Sequence, residues 1–135
     1  MKFSFISMFL LSIIFITSCS KSNDSSSDIA DAYVGTYLVT DTLRITYSGT
    51  TTVQGRTYVM SVVKASANTV TLKNIERVCT VDAIVTSNII GSTTGGVNDC
   101  QISNIVGQKN GAVLNFTYQF TTAATNYCTA RAVKQ

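Results

Sequence analysis

The sequence predicts an all-β fold: an antiparallel up-and-down meander of seven or eight strands that closes into a small barrel, or alternatively packs as a β-sandwich. Three observations carry this expectation. From Ala32 onward the 135-residue chain is rich in Thr, Val, Ile and Tyr and contains no proline. Its apolar side chains recur with period two, the spacing of a strand with one buried face, and no helical period is present. The alternating runs follow one another too closely for helical crossovers, so neighbouring strands connect as hairpins.

Taken in order, strands are expected at Gly35–Tyr47, Arg56–Lys64, Thr69–Ile75, Cys79–Thr86, Cys100–Gly107, Ala112–Thr121 and Tyr127–Lys134, with a short eighth at Asn88–Gly91. In the first, Tyr37, Val39, Leu43 and Ile45 share a face on which Asp41 intrudes. Tyr58, Met60 and Val62 form the same pattern in the second. The cleanest alternation is Leu114, Phe116, Tyr118 and Phe120 against Asn115, Thr117 and Gln119. Asn110-Gly111 is a strong hairpin signal because both residues tolerate positive φ. Ser48-Gly49, Ala67-Asn68 and Gly95-Gly96 are weaker turn signals.

The first 31 residues do not belong to this pattern. Met1-Lys2 supplies one positive charge, and Phe3–Thr17 is apolar apart from Ser4, Ser7, Ser12 and Thr17. That stretch is short for a transmembrane helix, which needs about 20 apolar residues, and suits a signal-peptide core. Ile16-Thr17-Ser18-Cys19 then resembles the lipobox of bacterial lipoproteins, whose cysteine becomes the lipidated first residue. The resemblance implies a signal peptide over 1–18, a diacylglycerol thioether and palmitate-type acyl chains on Cys19, and anchoring in the outer membrane of a Gram-negative bacterium, facing the periplasm or the cell surface. Two or more acyl chains give stable anchoring. Residues 19–31 read as a flexible Ser/Asp-rich tether, which would hold the domain on the order of 20 Å from the bilayer. Residues 32–135 remain as one domain of ordinary size.

Within that domain Tyr33-Val34-Gly35-Thr36-Tyr37-Leu38-Val39-Thr40-Asp41-Thr42 resembles the opening strand of small lipocalin-like, or calycin-like, lipoproteins common in Bacteroidetes. Asn68–Asn74 resembles their middle hairpin, and Cys128–Gln135 their closing strand. The resemblance implies a small lipocalin-like barrel and a pocket that is either open to an apolar ligand or filled by side chains.

With Cys19 reserved for lipid, Cys79, Cys100 and Cys128 remain, so at most one internal disulfide forms. Cys79–Cys100 is the favoured pair, because both begin strands of similar alternation. Pairing through Cys128 is the alternative. The lipocalin-like resemblance implies a partner for Cys128 in the first strand, where this chain has Leu43. Three cysteines without histidine or a CxxC spacing make a poor zinc set, so no metal is expected.

The chain has no histidine, which removes the usual triads and the commonest general base. Asp41 and Asp82 are the one carboxylate pair that could meet across a barrel, though both are expected to face outward or line strand ends. Gly91–Gly96 lacks the lysine of a phosphate loop. The formal net charge is +3, or about +2 once Lys2 is removed, and the basic residues are scattered, so nucleic-acid binding is not expected. No cofactor is expected. Tyr33, Tyr37, Tyr47, Tyr58, Tyr118 and Tyr127 are expected as core or rim packing, or as the lining of a ligand mouth. The composite expectation is a non-catalytic, membrane-anchored envelope lipoprotein that binds a small apolar or amphipathic ligand. The alternative is an envelope lipoprotein of inhibitor-like or structural type that docks a protein through the Ser87–Asp99 loop.

Overall fold

In a computed structural model, residues 27–135 are described. The signal peptide, Cys19 and most of the tether lie outside the described residues. The chain forms eight antiparallel strands: β1 (Gly35–Tyr47), β2 (Thr50–Ser66), β3 (Thr69–Ile75), β4 (Cys79–Val85), β5 (Ile89–Ser92), β6 (Ile102–Asn110), β7 (Val113–Thr121) and β8 (Thr125–Lys134). Each pairs with the next, and β1 pairs with β8 from Tyr37↔Lys134 to Thr46↔Thr125. This last ladder closes the sheet into a barrel, in place of the alternative sandwich. The short eighth strand is β5.

The inward residues alternate as expected. Tyr37, Val39, Tyr58, Met60, Val62, Val70, Leu72, Leu114, Phe116 and Tyr118 are all buried and fill the barrel. Ser48 and Gly49 both have positive φ and make the tight β1–β2 turn, which pairs Tyr47 with Thr50. The β6–β7 turn sits one residue later than expected. Asn110 pairs with Val113, so Gly111 and Ala112 are the central residues, with Gly111 at φ +57°. At Gly107 a Cβ would lie 2.4 Å from Phe116 Cβ, so only glycine lets β6 approach β7 this closely.

One end of the barrel is plugged. The 3₁₀ turn Ile29–Ala32 buries Ala30, whose N–H bonds Ala67 O. Tyr33 follows, fully buried, and donates its hydroxyl toward Thr86 O and Ile89 O. Lys64 pairs with both Asp28 and Asp31. The four residues Asp28–Asp31, expected in the tether, are therefore docked on the domain, because Ala30 and Tyr33 find a hydrophobic seat.

The other end needs a separate closure. β5 has only four residues, so toward this end β4 and β6 have no regular strand between them. Segment Val97–Asp99 fills the gap. Asp82 N–H bonds Val97 O at 2.8 Å, and Val97 N–H bonds Asp82 Oδ2 at 2.9 Å. Asp99 N–H bonds Thr80 O, and Thr80 N–H bonds Asp99 Oδ1. The disulfide Cys79–Cys100 (Cα–Cα 5.7 Å) locks this patch. The expected pair has formed, but not between register partners of adjacent strands: Cys100 precedes β6 by two residues, and the bond spans a place where the sheet is thin.

Candidate functional site

The barrel carries two places where chemistry could reside: an ionic cluster at the interior of the unplugged end, and a cleft on the outer wall.

The ionic cluster follows from the β1–β2 register. The turn that pairs Tyr47 with Thr50 sets Asp41 directly opposite Arg56, both inward. Arg56 Nε donates to Asp41 Oδ1 at 2.9 Å and Nη2 to Oδ2 at 2.6 Å, a bidentate pair. Glu76 reaches the same guanidinium from the β3–β4 turn. Arg56 Nη1 donates to Glu76 Oε2 at 2.6 Å, and Nη2 donates to Oε1. The turn is bent sharply, with Asn74, Glu76 and Arg77 all at positive φ. Asn74 tolerates this region, but Glu76 and Arg77 do not, so the backbone is strained at those two by roughly 1–2 kcal/mol each. That bend is what aims the Glu76 carboxylate at the barrel mouth.

Two tyrosines and a thiol complete the cluster. The Tyr58 and Tyr118 hydroxyls lie 3.4 Å apart. Tyr118 donates to Glu76 Oε1 at 2.7 Å, and the Cys128 thiol donates to the same oxygen at 3.2 Å. No buried side-chain polar atom among the described residues lacks a partner. Burial works against the Glu76 carboxylate, but the bonds from Arg56, Tyr118 and Cys128 hold its pKa below the ordinary value. Arg56 is likewise opposed by burial and raised by Glu76 and Asp41. Burial pushes the Tyr118 and Tyr58 hydroxyls upward and the Cys128 thiol up to about 12.

The arrangement is saturated. Asp41, Glu76 and Cys128 present three ligand atoms within 4.8 Å of one another, a spacing that a cation could use. The Arg56 guanidinium already occupies that place and engages all four carboxylate oxygens. The second such group, Cys79, Asp99 and Cys100, has its sulfurs joined in the disulfide. A carboxylate held ionised and locked in two-pronged bonds is a poor proton donor.

The expectations for Asp41 and for the Ser87–Asp99 loop are corrected here, and the other candidate residues take the following places. Asp41 does not face outward: it is buried, 2% exposed, and its partners are Arg56 and Tyr118. Asp82 lies on the outer face of β4, accepting from Thr71 Oγ1 and Val97 N–H, so Asp41 and Asp82 do not meet. Cys128 is a free, buried thiol directly opposite Leu43. Tyr33, Tyr37, Tyr58 and Tyr118 pack the interior, whereas Tyr47 and Tyr127 are exposed. The Ser87–Asp99 loop is largely structured, as β5 and as the Val97–Asp99 patch.

The second place is a cleft of about 370 Å³ on the outer surface. It is lined by Thr40 and Thr42 of β1, Thr129 and Arg131 of β8, and Asn115 and Thr117 of β7, together with the apolar Val106, Phe116 and Ala130. The register explains this grouping. Thr40, Arg131 and Asn115 stand abreast on three adjacent strands, and Thr42, Thr129 and Thr117 form the next rank. Nothing in the sequence marks this cleft except threonines at alternate, outward positions, a pattern any polar sheet face shares. Compared with protein families, curated proteins and solved structures, the chain has no match.

Proposed function

We propose that this chain is a lipid-anchored envelope protein whose barrel is a non-catalytic binding module working through its outer wall. The lipobox-like Ile16–Cys19 and the resemblance to small lipocalin-like lipoproteins support the anchor and the outer-membrane address. The observation that carries the binding reading is the contrast between the two sides of the sheet. Inward residues are buried against one another and Arg56 is saturated by Asp41 and Glu76, while the outer face opens a cleft of about 370 Å³. An apolar small-molecule site usually needs roughly 300 Å³ or more of concave, mostly apolar space. This contrast supports an outer-wall site for the ligand. The chain enters the domain at the plugged end, beside Ala30 and Tyr33.

A row of aliphatic side chains favours protein docking as a second reading. Val59, Leu38, Val133 and Val113 stand abreast on β2, β1, β8 and β7, beside the cleft, with Leu38 and Val59 exposed.

Photo-crosslinking in intact cells tests the proposal. A photoreactive residue at Thr129 in the cleft is expected to yield a discrete adduct. The same residue at Gln54, near the mouth, or at Thr94, in the β5–β6 connection, is expected to yield none. Adducts from Gln54 or Thr94 alone would overturn the outer-wall reading.

A further inference from the structure

The cleft has an uncompensated charge. The domain's ion pairs, among the described residues, involve only Arg56 and Lys64 on the basic side. Its carboxylates lie elsewhere: Asp41 and Glu76 inside, Asp28 and Asp31 at Lys64, Asp82 on β4 and Asp99 near the disulfide. Arg131 therefore stands in the cleft with no acidic neighbour in its lining. Arg44 projects from the same outer face, four β1 residues beyond Thr40, which faces Arg131. At 3.3 Å per strand residue and one inter-strand spacing, the Cα atoms of the two arginines are about 14 Å apart. Tyr127, 40% exposed, stands on the outer side of β8 directly opposite Arg44, and the Thr42–Thr129 rank lies between this pair and Arg131.

Resting on the outer wall as the working surface, we infer that this cleft binds a carboxylate-bearing oligosaccharide. Three features converge on that chemistry. The planar fork of Arg131 matches a carboxylate, and Arg44 offers a second such contact one short stretch of sugar chain away. The walls between them carry the hydroxyls of Thr40, Thr42, Thr117 and Thr129 and the amide of Asn115, groups that both donate and accept as sugar hydroxyls do. Tyr127 presents an aromatic ring, with a polar tip, as a platform for the apolar face of a sugar ring. The cleft is open along the sheet, so a polymer segment can lie across it without threading into the barrel. A bare inorganic anion would use Arg131 alone and leave the threonine ranks and Tyr127 without a role.

The test is titration calorimetry on the full chain purified in detergent, with a short polygalacturonate as the probe. Saturable binding is expected. Arg131→Ala should weaken it by about tenfold or more, the loss typical of one charge-assisted hydrogen-bonded contact. Arg131→Lys should recover only part, because it keeps charge but not the fork. Arg131 is exposed, so neither change should disturb the fold. Lys73→Ala, which removes an outward cation on β3, should leave affinity unchanged. The methyl-esterified probe should bind as weakly as the parent probe binds Arg131→Ala. Equal binding of the ester, or an equal loss in Lys73→Ala, would overturn the inference. So would inorganic phosphate competing as well as the oligosaccharide. Absence of binding to the polygalacturonate would also overturn it, while a Thr129 crosslink in cells would still support an outer-wall partner of another class.

Discussion

Arg56 shows how a polar group is kept inside a small barrel. Its guanidinium donates to four carboxylate oxygens from two residues, and the cluster's remaining polar atoms, on Tyr58, Tyr118 and Cys128, are tied into the same network. Removing one partner of such a cluster leaves uncompensated buried charge. Arg56→Met should therefore lower unfolding stability by about 3–5 kcal/mol, read from urea denaturation. Replacing all three ions with apolar residues (Asp41→Leu, Arg56→Met, Glu76→Leu) should restore most of that loss. A single variant within about 1 kcal/mol of wild type would show that the cluster is not the buried lock described here. The cluster also carries a pH signature. The folded-state pKa of Glu76 is held down by Arg56, Tyr118 and Cys128. Its contribution to stability is therefore fully present above its unfolded value, near 4.3, and is lost as pH falls through the lower folded value. Glu76→Gln should flatten the acid limb of a stability–pH profile, and an unchanged limb would contradict the assignment.

Among the elements, the strands with one apolar face were the most legible. β1 and β3 run as their alternation predicts, and β4 ends one residue early. The start of β2 was not legible, because Thr50–Gly55 is exposed on both faces and carries no period. The Asp41–Arg56 pair was available from the Ser48-Gly49 turn, since that turn fixes which residues face each other. Glu76 was not available: it enters the barrel through three positive-φ residues with no glycine among them, a conformation that alternation cannot signal. The outer cleft was illegible for a different reason, because it depends on which strands become neighbours on closure. Two element-scale outcomes follow. Replacing Cys79 and Cys100 with alanine should cost about 3 kcal/mol by the chain-entropy model, for a sequence separation of 21. Hydrogen exchange in the variant should rise first at Val97–Asp99, and uniform exchange across the barrel would argue against a local patch. Leu43→Cys should form a disulfide with Cys128 on mild oxidation, because opposed residues of antiparallel strands lie within bridging distance. Failure to crosslink would contradict the β1–β8 closure.

At the scale of the molecule, closure of β8 on β1 divides the protein into two surfaces of different character, on which the proposed function rests. The inside is committed to stability, with aromatic and aliphatic side chains through its length, an ionic lock toward one end and Tyr33 at the other. The outside carries the threonine ranks, a short aliphatic row, and Arg44 and Arg131, which have no ion-pair partner among the described residues. Native mass spectrometry of the membrane-extracted, mild-detergent-solubilised protein tests this division most directly. The account predicts the mature polypeptide carrying acyl chains at Cys19 and one internal disulfide, with no apolar small molecule retained. A stoichiometric apolar ligand that survives extraction and is released only on unfolding would place the binding site inside the barrel and contradict it.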